Sequence, residues 1–245
     1  AEAQLRKAAT DLKTAGVTDL VLDLRYNGGG LLGVANELAS MIAAPSSTSG
    51  KVFERLQFNR KNPFGLSAEE AGQKFMTQTV GYSLAPGLPL PQLNLSRVTV
   101  LSGPDTCSAS ESIVNALRGV DVPVDLVGSP TCGKPYGFLP EDNCGTTYFA
   151  IQFKGVNAKG EGNYDDGFAP TCAVADDFTR ELGDPAEARL AAAPHVRVTG
   201  ACPGPGAGGH RGGLARPAPQ QLERIHREQR GAGGEHRVAR HAQPH

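Results

Sequence analysis

The chain has 245 residues, a formal net charge of −1 and 39% hydrophobic residues. That length allows one large domain, or two small ones, with a real core. A net charge near zero argues against a nucleic-acid or membrane bias. It hides an asymmetry, because residues 1–194 carry 16 Lys and Arg against 22 Asp and Glu, whereas residues 195–245 carry eight Arg, no Lys and three Glu.

All six histidines (His195, His210, His226, His236, His241 and His245) fall in residues 195–245. A Ser-His-Asp triad, a Cys-His dyad and a His-based metal site are therefore excluded from residues 1–194 unless the tail folds back to supply one. Nucleophilic chemistry there needs another base, and lysine is the main candidate. The five cysteines (Cys107, Cys132, Cys144, Cys172 and Cys202) contain no C-x-x-C pair, so neither zinc nor any other metal is expected. In an exported protein the expected pairs are Cys132 with Cys144 and Cys172 with Cys202, whereas a cytosolic one would keep all five as small buried hydrophobes. We expect an exported origin. No stretch is long and apolar enough to span a membrane, and no signal peptide is visible at Ala1. The first residue is not Met and the chain opens inside a helical pattern, so an N-terminally removed fragment is expected.

In chain order, residues 1–15 form an amphipathic helix with Leu5, Ala8, Ala9 and Leu12 on one stripe, closed by Gly16. Residues 19–25 read as a buried strand ending in Tyr26-Asn27-Gly28-Gly29-Gly30, and residues 31–42 as a helix. A helix–strand–glycine turn–helix unit argues for an α/β fold. A strand is predicted over 52–58, then an irregular insertion over 59–96 with a short helix at 68–75. Strands at 98–101 and 122–127 flank a short helix closed by Gly119, and residues 146–154 alternate as a strand. Two helices close the body. The last is expected to begin at Asp184-Pro185-Ala186-Glu187, with Asp184 as cap, proline at the first helical position and Glu187 completing a capping box.

From about residue 196 the composition shifts abruptly to Gly, Pro, Ala, Arg and His, so a folded body over 1–195 and a low-complexity tail over 196–245 are expected. Such a tail cannot bury enough apolar surface to offset its chain entropy. Either it is an ordinary disordered basic tail or it is what GC-rich DNA yields in a wrong reading frame.

Two stretches could carry chemistry. Gly28-Gly29-Gly30-Leu31-Leu32-Gly33 satisfies G-x-G-x-x-G between a strand and a helix, with Glu54 at a distance suited to a ribose contact. Polar residues separate the strand core from the glycines, however, so an anion- or oxyanion-binding nest of amides is favoured over a dinucleotide loop or a purely structural turn. The second stretch is Asp105-Thr106-Cys107-Ser108-Ala109-Ser110-Glu111, which leaves a strand and opens a helix. Ser108 is an N-cap by position. A serine there is also exposed beside unpaired backbone N–H groups, which suits a nucleophile. Lys134 lies in a turn after the next strand, which adjacent strands could bring to the same sheet edge. A lysine base must be neutral, and Tyr136, Phe138 and Leu139 could wall it from water.

These residues carry a resemblance. Leu22-Asp23-Leu24-Arg25-Tyr26-Asn27-Gly28-Gly29-Gly30 resembles the D-L-R-x-N-x-G-G segment of the C-terminal processing peptidases, or tail-specific proteases. Ser108-Ala109-Ser110-Glu111 resembles their S-A-S-E nucleophile turn, Pro130-Thr131-Cys132-Gly133-Lys134 their P-T-x-G-K motif, and Gly167-Phe168-Ala169-Pro170 their G-I-x-P segment. The resemblance covers roughly residues 1–193 and implies an exported Ser–Lys dyad peptidase on a ClpP/crotonase-like α/β core without a cofactor, acting on protein or peptide substrates. It implies Ser108 as nucleophile, Lys134 as general base, and the Ala109 amide with Gly29 or Gly30 as oxyanion hole. Thr131 and Glu111 would support them. Where many members of that family have glutamine four residues after the lysine, this chain has Phe138, so either the lysine is oriented otherwise, with Thr131 as the candidate, or activity is reduced. No PDZ domain is recognisable. The alternatives are a catalytically silent relative that binds peptides or other ligands in the same cleft, and a nucleotide-binding oxidoreductase.

Overall fold

The computed structural model describes residues 1–204. Its helices are α1 (Glu2–Thr14), α2 (Leu32–Ile42), α3 (Pro45–Thr48), α4 (Ala109–Gly119) and α5 (Ala188–Thr199). Its strands are β1 (Val21–Asp23), β2 (Val52–Phe58), β3 (Gly72–Lys74), β4 (Val98–Ser102), β5 (Val124–Gly128), β6 (Tyr136–Gly137), β7 (Glu141–Asn143), β8 (Thr146–Tyr148), β9 (Phe153–Val156) and β10 (Cys172–Ala173).

The strands β1, β4, β5 and β10 form a parallel sheet in the order β1-β4-β5-β10. Every residue of β4 is buried, as expected for a strand covered on both faces. Val98 and Val100 join one core with Ile42, Phe53, Val114, Leu117 and Leu126. Leu101 and Val127 join another with Ala192, Ala193 and Val196 of α5. The sheet is thus sandwiched between α2 and α4 on one side and α5 on the other, and each large aliphatic side chain so buried contributes roughly 1.5–3 kcal/mol. An antiparallel sheet, β3-β2-β9-β6, packs against α4 through β2 and β9. The α/β class, with a parallel sheet flanked by helices, is as expected.

Several expectations are corrected. Residues 68–71 form turns rather than a helix, and Gly72–Lys74 pairs with β2 as a strand. The alternating stretch 146–154 is split into β8, paired in a hairpin with β7, and β9 in the antiparallel sheet. One helix, not two, closes the described body, and its N-cap is Glu187, whose carboxylate accepts from the N–H groups of Arg189 and Leu190 at 3.2 and 3.0 Å. Asp184 instead accepts from Ala186 N–H at 2.8 Å in a local turn. The reason lies in the ion pair that Glu187 makes with buried Arg25 at 2.9 Å, which holds its carboxylate inside, at the start of α5.

The disulfides are Cys107–Cys132 and Cys172–Cys202, each with a Cα–Cα distance of 5.3 Å. The second is the expected pair. The first replaces Cys132–Cys144, because the parallel register of β4 and β5 brings the turns that follow them together. Cys144 is exposed and free in the β7–β8 hairpin. Helix α5 runs past Pro194 to Thr199, beyond the change of composition, because Val196 is buried in the second core and Cys202 is tied to Cys172. Most of the expected tail, 205–245, lies outside the described residues.

Candidate active site

Because β1, β4 and β5 are parallel neighbours, the turns after them open at one edge, the carboxyl end of the sheet. In open α/β folds that edge is where ligands bind. Buried Thr106 joins all three turns. Its hydroxyl donates to Leu24 O at 2.7 Å and accepts from Gly103 N–H at 2.9 Å, while its carbonyl accepts from Cys132 N–H at 3.1 Å. Asn27 fixes the glycine turn against α4. Its carbonyl accepts from Cys107 N–H at 3.1 Å, and its Oδ1 accepts from Gly29 N–H at 3.0 Å and from the Ser110 hydroxyl at 2.9 Å.

Ser108 sits where β4's turn enters α4, with φ 55° and ψ −117°. A non-glycine residue there is held by its surroundings against its own preference. It is the N-cap, as expected, and forms a capping box with Glu111. The glycine turn comes up against it: a Cβ placed on Gly29 would lie 2.7 Å from Ser108 Cβ and 3.1 Å from Ala109 N. Gly29 and Gly30 have φ of +107° and +143°, conformations that a side chain would strain.

The two glycines are not equivalent. The Gly29 amide is engaged by Asn27, whereas Gly30 N–H has no partner among the described turn and loop hydrogen bonds. Ala109 opens α4, so its amide has no intrahelical acceptor. Free amides from two turns, Gly30 and Ala109, thus border one cleft. An apolar cavity of about 410 Å³ adjoins it, with Leu22, Leu24, Leu31, Val34, Leu38 and Ile113 in its wall and Gly29, Gly30 and Ala109 at its side.

The sequence of residues 1–140 matches the model of peptidase family S41. The chain belongs to peptidase family S41. Among solved structures, a Bacteroides fragilis protein described as an S41 protease is 28% identical with a TM-score of 0.67, over 80% of this chain and 49% of that one. The photosystem II D1 C-terminal processing protease is 20% identical with a TM-score of 0.51, over 71% of this chain and 39% of that one, a likeness of fold. This S41 chain therefore spans about half the length of the Bacteroides protein, 49%. A search of curated proteins finds no match.

In this S41 chain the turn that carries Lys134 is assembled around Glu111, whose side chain is fully buried. Its Oε1 accepts from the Thr131 hydroxyl at 2.6 Å and Gly133 N–H at 2.8 Å, and its Oε2 accepts from Ser108 N–H at 3.0 Å and Lys134 N–H at 2.8 Å. Thr131 also accepts from Phe168 N–H at 2.7 Å. Its hydroxyl thus serves Glu111 and the 167–168 turn, and among the described residues no hydrogen bond joins it to Lys134 Nζ, so the expected orientation of the lysine by Thr131 is not seen. The Lys134 side chain is exposed, and its Nζ lies 5.2 Å from the centroid of the Phe138 ring. Among the described residues no hydrogen bond joins Lys134 Nζ to the Ser108 hydroxyl. Tyr136, Phe138 and Leu139 are all exposed, so the expected apolar enclosure of the lysine is absent in this state.

Glu54 does not face the glycine turn. It is buried on β2 against Ser112 of α4, and burial pushes its carboxyl up to about 7, with the Ser112 hydroxyl opposing the shift. Among the described residues one group, Cys107, Glu111 and Cys132, could offer three metal-ligand atoms, and its sulfurs are joined to each other. No described helix is long and apolar enough to cross a membrane. Sequence reasoning missed Thr106, Asn27 and Ser110. The signal was present, since short polar side chains between a strand and a helix commonly bond nearby backbone, but their partners are supplied by distant turns.

Proposed function

We propose that this S41 chain is the catalytic part of an exported serine endopeptidase that cleaves protein substrates, at extended or C-terminal segments, through an acyl-enzyme on Ser108. The observation that supports it most is the seat of the glycine turn on the nucleophile, with a Gly29 Cβ position 2.7 Å from Ser108 Cβ and 3.1 Å from Ala109 N. The two disulfides suit an oxidising compartment.

Ser108 Oγ attacks the scissile carbonyl carbon and passes its proton to neutral Lys134 Nζ. The oxygen that gains negative charge takes hydrogen bonds from Ala109 N–H and Gly30 N–H, each worth about 3–4 kcal/mol in the transition state. Collapse expels the amine, which leaves with the proton from Lys134. Water then attacks the Ser108 ester, giving its proton to Lys134, and the acid departs as Ser108 is restored. Lys134 must leave the Phe138 ring to do this, and a bound peptide covering the cleft would also strip water from its amine. The apolar cavity beside Gly30 would take an apolar side chain next to the scissile bond.

Turnover of an unfolded protein substrate by Ser108→Ala and Lys134→Ala tests this reading. We expect both to fall to background, and unchanged turnover in either would refute the dyad. The placement of Lys134 over Phe138 favours a second reading, a silent peptide-binding relative. It predicts that the parent chain binds peptides without cleaving them.

A further inference from the structure

We infer that the Cys107–Cys132 disulfide is a thiol-exchange site that sets whether the nucleophile and base turns are aligned, with a dithiol as its reaction partner. The inference rests on the Ser–Lys reading above. Cys107 directly precedes Ser108, and Cys132 stands two residues before Lys134. The bond therefore closes a covalent bridge across the cleft edge between the two turns, at a Cα–Cα distance of 5.3 Å. Both cysteines are half-buried rather than sealed in the core.

The other links between these turns are hydrogen bonds. Glu111 holds the Ser108, Gly133 and Lys134 amides, and Thr106 O holds Cys132 N–H. Reduction separates the sulfurs from bonded to van der Waals distance, beside a carboxylate already saturated with donors. Cys132 Sγ is 3.5 Å from Glu111 Oε2, so the sulfurs part by a shift of one of the turns, and we take it to be the lysine turn. That turn has the freedom to give it, because Lys134 is exposed and β6, which follows, is a two-residue edge strand.

We take the exchange to begin with attack on Cys132. A thiolate from the dithiol attacks Cys132 Sγ, the Sγ–Sγ bond breaks, and Cys107 leaves as a thiolate at the N-terminus of α4, where helix amides stabilise negative charge. The second thiol of the reagent then displaces Cys132, so one disulfide is reduced to two thiols and one dithiol is oxidised to its cyclic disulfide.

The test uses the full chain carrying Cys144→Ser, to prevent scrambling, before and after dithiothreitol. Substrate turnover and amide hydrogen exchange are measured, together with a Cys107→Ser/Cys132→Ser variant that keeps Cys172–Cys202. We expect turnover to fall at least tenfold on reduction and return on reoxidation. Exchange at Gly133 and Lys134 should quicken while Val100 and Leu126 stay protected, and the double variant should match the reduced protein and ignore dithiothreitol. Equal turnover and unchanged exchange in both states would overturn the inference, as would equal loss of protection at Val100 and Leu126. Full turnover in Lys134→Ala would overturn the Ser–Lys reading instead, and exchange at the two turns would still decide the role of the disulfide.

Discussion

Ser108 and Lys134 hang from the same oxygen: Glu111 Oε2 accepts the backbone N–H of both, at 3.0 and 2.8 Å. The carboxylate at the third position of α4 therefore joins the helix that Ser108 caps to the turn that carries Lys134. Replacing it by glutamine turns one acceptor oxygen into an NH₂ group facing backbone donors. We predict that Glu111→Gln costs roughly 1–3 kcal/mol of stability, the usual cost of unsatisfied buried donors, and lowers kcat far more than it raises KM. Urea denaturation and steady-state kinetics check this. Unchanged kcat would remove Glu111 from the account.

Gly29 is the point of closest approach between the glycine turn and Ser108. Gly29→Ala would force a Cβ to 2.7 Å from Ser108 Cβ at a backbone φ of +107°. Either the turn or the nucleophile must shift, and the oxyanion amides shift with it. We expect kcat/KM to fall by about 10²–10³, as for the loss of one oxyanion donor, and Tm to fall as well, because the positive φ and the close contact strain the folded chain. A Gly16→Ala control has a positive φ but nothing within 4 Å of its Cβ and should leave kcat/KM unaltered.

Glu54 gives stability a pH dependence of defined sign. Its carboxyl, pushed up to about 7 in the folded chain against 4.5 for the free group, keeps its proton on folding between those values. The unfolded chain binds fewer protons there, so the stability contributed by this group falls as pH rises from about 4.5 to 7 and is flat above. Glu54→Gln should therefore be more stable than the parent at pH 8 and close to it at pH 4.5. Tm measured across that range checks the difference between the two proteins.

Arg25 is nearly fully buried, with its guanidinium on Asp23 at 2.7 Å and Glu187 at 2.9 Å. It fastens the strand before the glycine turn to the cap of α5. Arg25→Met leaves Glu187 buried without its cation, so a loss of about 3–5 kcal/mol is expected. Urea denaturation measures it. A loss below 1 kcal/mol would show that the α5 amides alone satisfy Glu187.

The parallel α/β core was legible because its apolar runs are long and its turns contain glycine. Ser108 was found as a helix cap after a strand, and Lys134 by the absence of histidine from residues 1–194. What stayed hidden depends on register between distant segments. Only the β4–β5 pairing puts Cys107 beside Cys132, so sequence spacing pointed to Cys144 instead. Thr131 looked free to serve the lysine until the buried Glu111 claimed its hydroxyl. Composition placed a boundary near residue 196, yet the burial of Val196 and the Cys172–Cys202 link carry α5 beyond it.

On the proposed mechanism Ser108 reacts because Lys134 can take its proton. The most direct measurement is the rate at which a fluorophosphonate labels Ser108, with the adduct located by peptide mass mapping. We expect one adduct, on the peptide containing Ser108, absent in Ser108→Ala and formed about 10²-fold or more slowly in Lys134→Ala, the scale of lost general-base catalysis. Equal labelling rates in the parent chain and Lys134→Ala would contradict that mechanism.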